Sequence, residues 1–466
     1  MKLNYKRTIF VGFGFFLICA FWQAYDAIIP LILTNRFGLP QSASGAVMSI
    51  DNVLAVFLLP LFGSISDKWK GKSGKRTPFI VFGAVAAIIS FIALTLVDNY
   101  QLAKIMTAGV HNMPNGSETE LEEVLAATWK ITAANPLPLI LFIITLFVVL
   151  VAMATFRSPA VALMPDITVK PLRSKGNAII NLMGTAGGIS VLVLGMIFGT
   201  SEDSYMKYTG YVLAVCAIMA IGLVIFIFTV KENKWASEME EDTKKFGLEE
   251  KAEEKTEGTH RALDKAELKS LLLILASVAL WYIGYNSITS KYSVYATTIL
   301  HFDFNFTLII AQAAAIVSYI PVGIISSKFG RKKTVLAGVV MLAASFFIGN
   351  FITAESPEFI MFPIFALAGI GWATINVNSF PMVVELAKGG DLGKYTGYYY
   401  TASMAAQIVA PILSGLLYDI IGMREVFFAF GTIFVVFSFV TMLFVKHGDC
   451  APEKTSLLES LGADGD

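Results

Sequence analysis

Two carboxylates, Asp26 and Asp51, stand inside long apolar runs of the chain. An ionised group in such a setting is costly, so by default it faces a water-filled cavity or a partner. Asp26 lies about eighteen residues into its run and Asp51 about sixteen from the same end, roughly 27 Å and 24 Å at helical rise. Similar depth on consecutive helices makes them candidates for one shared site, where two neighbouring carboxylates take up a proton more readily than they hold two charges. The alternative for Asp51 is a solvated place near the outer mouth. Arg157 is a third embedded charge, about nine residues and roughly 14 Å from the inner end of its run. Its guanidinium fork suits hydroxyls or a carboxylate, with snorkelling or pairing to Asp166 as the plainer reading. Trp22, with Gln23 beside it, Trp281 and Trp372 offer ring faces next to polar neighbours. Asn286, Lys291, Asn376 and Asn378 are the polar set of the second half, and such amides join helices as often as they bind ligands.

These residues need a membrane-spanning scaffold to hold them. The chain has 466 residues, 56% of them hydrophobic, and no net charge, so nothing draws it to nucleic acid. Cys19, Cys216 and Cys450 fit neither a disulfide framework nor a metal site. No catalytic constellation stands out: there is no His-Glu-x-x-His or Gly-x-Ser-x-Gly pattern, and Gly71-Lys72-Ser73 lacks the earlier glycine of a phosphate loop. The apolar runs predict twelve helices at 8–34, 42–66, 77–97, 137–165, 176–200, 208–230, 269–298, 306–327, 333–352, 358–386, 395–421 and 425–446. The fold class expected is therefore an all-α membrane protein. With both termini in the cytoplasm, nineteen Lys and Arg fall in the short inner segments and five in the outer loops. That asymmetry orients the chain, and the plasma membrane is the expected location.

Two segments depart from the short-loop pattern. Residues 232–268 are rich in mixed charge and read as a solvated cytoplasmic linker, with a regulatory role as the less favoured alternative. Residues 98–135 form an outer loop in which 118–129 could be a short surface helix, and Asn115-Gly116-Ser117 fits a glycosylation acceptor. The expected units are thus a six-helix bundle over 1–231, the linker 232–268, a second bundle over 269–446 and a cytoplasmic tail over 447–466.

An internal repeat supports the two halves. Gly63-Ser64-Ile65-Ser66-Asp67 opens a hinge carrying five positive charges, Lys68, Lys70, Lys72, Lys75 and Arg76. It is answered 260 residues later by Gly323-Ile324-Ile325-Ser326-Ser327 and a basic run, and Trp22 falls near Trp281. Further on the offset drops to 219, pairing Arg157 with Asn376 and Asp166 with Glu385. The drop matches the outer insertion that only the first half has. Two similar units suit a rocking transporter with its site between them. Gly63, Asp67, Arg76, Asp166, Arg173 and Glu385 are the candidate gating residues, with Asp67 expected to pair across the inner gate with a helix end or a cation such as Arg173 and to stabilise the outward-open state.

The pattern Gly-x-x-x-Asp67-Lys68 followed by Gly74-Lys75-Arg76, with its echo in the second half, resembles the signature of the major facilitator superfamily. Ser66-Asp67 with Gly74-Lys75-Arg76-Thr77-Pro78-Phe79-Ile80 is similar to a stretch of the sucrose–proton symporters and the related glycoside–pentoside–hexuronide carriers. Pro159 to Asp166, Arg173 and Asn177-Ala178 resemble their fourth- and fifth-helix pattern. The resemblance implies two pseudo-symmetric bundles of six helices and cation-coupled uptake of a glycoside. Leu150 stands where sucrose-type carriers have an acid, and Asp51 is followed by Ala55 and Leu59 where melibiose-type carriers pair aspartates. The proton role then falls to Asp26 and Asp51.

The expected function is a proton-coupled sugar symporter working by alternating access. A sugar would stack its C–H face on Trp22, Trp281 or Trp372 and hydrogen-bond to the polar set, a mostly apolar pocket with a few polar groups. No cofactor is expected beyond the coupling proton; sodium would need several converging oxygens. The lipid bilayer and a small-molecule substrate are the expected partners, with a monomer as the working unit. A proton-driven exporter of an amphipathic compound and a sugar receptor without turnover remain the alternatives.

Overall fold

The computed structural model describes residues 3–114, 118–169, 172–246, 264–386 and 392–448. They form helices α1 (Tyr5–Leu31), α2 (Gln41–Lys68), α3 (Thr77–Thr107), α4 (Glu118–Ala134), α5 (Leu137–Asp166), α6 (Arg173–Phe198), α7 (Thr209–Thr229) and α8 (Glu232–Lys245). The second half follows as α9 (Lys265–Thr289), α10 (Tyr292–Tyr295), α11 (Phe304–Phe329), α12 (Arg331–Gly349), α13 (Met361–Val384), α14 (Leu392–Ile421) and α15 (Met423–Leu443). Among the described residues twelve helices, all but α4, α8 and α10, are long and apolar enough to cross a membrane. Such helices satisfy their backbone polar groups internally, which is why an apolar chain in lipid takes this form.

Within the first half α1 packs on α6 and α7, α3 on α5 and α7, and α2 on α5. Within the second, α9 packs on α14 and α15, α12 on α13 and α15, and α11 on α13. The halves meet where α2 lies along α14, α6 along α11, and α1 against α10. Small residues permit the closest approaches. A Cβ on Gly187 of α6 would stand 2.4 Å from the Phe16 carbonyl oxygen of α1.

Four features differ from the sequence expectations. The third span runs ten residues past 97, because Asp98 and Gln101 point inward to Arg36 and Thr132. The seventh span does not continue to 298: α9 stops at Thr289 and the chain turns at Lys291 before α10. A π-helical turn, Ile32–Arg36, ends the first span, and Ala296–Leu300 ends the seventh, so the repeat extends to this distortion. Finally, the opening of the expected solvated linker is the docked helix α8, with Glu232 and Trp235 buried. The tripeptide 115–117 lies outside the described residues, as does Cys450.

Helix α8 binds the N-terminal segment and the basic hinge. Arg7 pairs with Glu238 at 2.5 Å and lies 5.4 Å from the Trp235 ring centre. The Glu232 carboxylate accepts from the backbone N–H groups of Lys75, Arg76 and Thr77, each at 2.8 Å, and from the Thr77 hydroxyl at 2.7 Å. It thereby caps α3. Gly74 turns the hinge with φ +112°, and a Cβ there would stand 2.2 Å from the Glu232 Oε2. The face carrying this hinge and the start of α1 is the terminal face; the opposite one is the far face.

Candidate functional site

Helix α1 is the most enclosed of the spans, yet Asp26 on it is exposed. An exposed carboxylate on a helix walled in by its neighbours faces an internal water-accessible space. Asp51 of α2 is half-buried, accepts from the Asn52 amide at 2.8 Å, and lies within electrostatic reach of Asp26. Among the described residues no hydrogen bond joins the two carboxylates, so the link between them is electrostatic. Tyr25, next to Asp26 on α1, is fully buried, with an unpartnered hydroxyl inside the field of both.

Arg157 of α5 joins this group from below. Counting residues from the same inner ends puts it roughly 7 Å lower than Trp22 along the helices. Its long stem nonetheless carries the guanidinium to 5.5 Å from the Trp22 ring centre. It lies within electrostatic reach of Asp51, and among the described residues it donates no hydrogen bond to the protein. Neither surface snorkelling nor a pair with Asp166 describes it. Five donors in a planar fork thus face the space beside the two acids.

The second half contributes Tyr285, within electrostatic reach of Asp26 and stacked at 6.1 Å on Trp372. Asn376, one turn beyond Trp372, is half-buried and makes no hydrogen bond among the described residues. Gln23 meets Gln312 of α11: the Gln312 amide donates to the Gln23 Oε1 at 2.6 Å. This bond joins the halves at the level of the polar cluster. Tyr25, Tyr285 and Gln312 are absent from the sequence-derived set. Their signal was polar tips on apolar spans, with Tyr25 next to Asp26 and Tyr285 one turn after Trp281.

Other expected residues lie elsewhere. Trp281 is fully buried, stacked on Tyr282 at 3.9 Å, so its ring belongs to the bundle core. Asn378 is buried and donates to the Thr374 carbonyl at 2.9 Å, and Asn286 donates to the Tyr282 carbonyl at 2.8 Å. Both bonds are to their own helices. Lys291 sits near the far face, fully buried, donating to the Ser44 Oγ at 2.5 Å.

The gate residues cluster on the terminal face, within each half. Arg76 donates to Asp67, to the Asp166 carboxylate at 2.8 Å, to the Ser66 hydroxyl at 2.5 Å and to the Gly63 carbonyl at 3.3 Å. Lys75 approaches Asp166 at 3.1 Å. In the second half Arg331 pairs with Glu385 in the equivalent place. Arg173 is not the partner of Asp67; it donates to the carbonyls of Thr168 at 3.1 Å and Pro165 at 2.9 Å. The reason is reach: Arg76 begins the helix that follows Asp67, and four acceptors already converge on its fork.

The two faces differ in how the halves meet. At the far face Gly45 of α2 abuts Pro411 of α14, where an added Cβ would be 2.1 Å from the carbonyl oxygen. The Ser49 hydroxyl donates to the Ile408 carbonyl at 2.9 Å. Ser201 donates to Asp303 at 2.7 Å, and Asn305 to Thr200 at 3.0 Å, where α6 meets α11. Toward the terminal face α2 and α14 part around a cavity of about 740 Å³. Val56, Leu59 and Pro60 line it opposite Tyr400, Met404 and Ile408. The structure is closed at the far face and open at the terminal face.

Two bundles meeting around a polar cluster, open to one side only, define a secondary-transporter architecture. The sequence profile of the Major Facilitator Superfamily matches residues 11–318 and 303–459, and the chain belongs to that superfamily. It is an integral membrane transporter of a small molecule, not an enzyme. An uncharacterized MFS-type transporter of Methanocaldococcus jannaschii is 23% identical over 450 residues, covering 94% of this chain and 95% of the relative. The inward open conformation of the xylose transporter XylE from E. coli superposes with TM-score 0.61 at 14% identity, covering 98% of each chain. A POT family transporter in complex with 5-aminolevulinic acid superposes with TM-score 0.62 at 12% identity, covering 95% of this chain and 96% of the other. At these identities the likeness is one of fold.

Proposed function

We propose that the chain is a proton-coupled sugar symporter of the plasma membrane, acting as a monomer with both termini in the cytoplasm. The observation that carries this reading is the grouping of Asp26 and Asp51 with the unbonded Arg157 fork on Trp22. A shared proton on the two acids would change the field on Arg157 and so link protonation to what the fork binds. Trp22 from one half and Tyr285–Trp372 from the other offer ring faces to the C–H surface of a sugar. Asn376, Gln23 and Gln312 offer amides for hydroxyls. The positive charge on the terminal face supports a cytoplasmic placement. Both walls of the cavity come from one chain, which suits a monomer. The fold neighbours include a xylose transporter.

The test is sugar-induced alkalinisation outside proteoliposomes, run over a panel of mono- and disaccharides. Proton movement with at least one sugar, lost in Asp26→Asn and Asp51→Asn, is the expected result; no movement with any sugar defeats the reading. The mainly apolar lining of the cavity between α2 and α14 favours a second reading, export of an amphipathic compound driven by protons. Proton release coupled to an amphipathic cation, with silence across the sugar panel, would select it.

A further inference from the structure

The far face is closed over a buried charge that the transport site does not use. Lys291 occupies the break between α9 and α10 and is fully buried. Its ammonium donates to the Ser44 hydroxyl of α2, also fully buried, at 2.5 Å. Among the described residues that is its one hydrogen-bond acceptor, for a group with three donors. Asp419, at the end of α14, lies within electrostatic reach of Lys291. Its carboxylate is committed to the start of α2, accepting from the N–H groups of Gln41 at 2.6 Å and Ser42 at 2.8 Å. Every one of these bonds joins the second half to the first. None survives when the halves part at this face.

Burying an ammonium with a single neutral acceptor is unfavourable, and opening the far face returns it to water. The surrounding contacts pull the other way. Asp419 caps the α2 N-terminus, and Gly45 and Gly415 let α2 and α14 touch backbone to backbone. We propose that Lys291 is a positioning residue of the transport cycle. It keeps far-face closure only marginally favourable, so that the face can reopen, while Ser44 supplies the acceptor that makes closure tolerable. The two residues bond each other yet act on the equilibrium in opposite directions. An ordinary stabilising contact would not do this, since loss of either partner would open the face.

The test uses full-length protein in nanodiscs at pH 6, where Lys291 is charged although burial lowers its pKa to about 7, without substrate, in a background of Cys19→Ser, Cys216→Ser and Cys450→Ser. Spin labels at Thr107→Cys and Glu355→Cys report the distance across the far face; Lys72→Cys and Lys394→Cys report the terminal face. Ser44→Ala strands the ammonium in the closed state and should raise the open-to-closed ratio at the far face about tenfold. The terminal-face distance should shorten in step. Adding Lys291→Met to Ser44→Ala removes the charge and should return the ratio to the wild-type value or below. Ser44→Thr keeps the acceptor and should match the wild type. Opening in Ser44→Ala together with reclosure in the double variant supports the proposal. An unchanged ratio in Ser44→Ala overturns it, and so does a double variant as open as Ser44→Ala. Broadening of both distance distributions without the opposed movement of the two faces overturns it as well.

Discussion

Glu232 holds the hinge through a helix that lies 155 residues further along the chain. Replacing it by Ala leaves the N–H groups of Lys75, Arg76 and Thr77 and the Thr77 hydroxyl without their acceptor. A lost helix cap costs about 1 kcal/mol and a charge-assisted hydrogen bond about 1.5–3 kcal/mol. The bonds share one carboxylate, and water reaches the neighbouring exposed lysines, so the terms do not add. A loss of about 2 kcal/mol in local stability is the working figure. Local opening should then be about 30-fold more populated. Trypsin reads this directly, because Lys68, Lys70 and Lys72 are exposed on the hinge and need only local opening to enter the protease. Under conditions where opening is fast, hinge cleavage in Glu232→Ala should be about 30-fold faster than in the wild type. Glu232→Gln keeps one acceptor oxygen and should fall between, at about fivefold. Cleavage of Glu232→Ala within twofold of the wild-type rate would refute the capping argument.

Other perturbations follow from the same geometry. Arg36 and Asp98 are a fully buried pair 3.5 Å apart, so Arg36→Met should cost about 3–5 kcal/mol in detergent unfolding, and adding Asp98→Leu should regain only part of it, because the Ser204 and Met206 carbonyls also lose their donor. Asp67 is more than half exposed and Arg76 keeps its other acceptors without it, so Asp67→Asn should cost under about 1 kcal/mol. Asp166→Asn should cost more, about 2 kcal/mol, because that carboxylate also answers Lys75; unfolding midpoints in the reverse order would contradict this. A Gly45→Val side chain would collide with the Pro411 carbonyl, so spin-label distances across the far face should lengthen, and unchanged distances would show that the helices do not close there.

The twelve spans were legible because hydrocarbon demands long apolar helices, and the repeat of the basic hinge located the two halves. Asp26, Asp51 and Arg157 were legible for the same reason in reverse, as charges where charges are costly. Orientation within a span was not. Helices that are apolar all round carry no periodic signal to separate Trp281, which packs inward, from Tyr285, one turn away and at the cleft. Asp98 and Gln101 resembled a loop because they are polar, while in the fold they serve buried partners from another helix. Lys291 looked like a ligand for substrate, but its depth along the chain said nothing of which face it would reach. Glu232 sat in a charged stretch that composition describes as solvated, and its role depends on a helix end distant in sequence.

The central claim is that Asp26 and Asp51 carry the coupling proton beside the substrate. The most direct measurement compares two modes of transport in proteoliposomes, gradient-driven accumulation and equilibrium exchange of labelled sugar. Asp26→Asn and Asp51→Asn should each abolish accumulation under an imposed proton gradient while leaving exchange within a few-fold of wild type. Accumulation that persists in both variants would contradict the account.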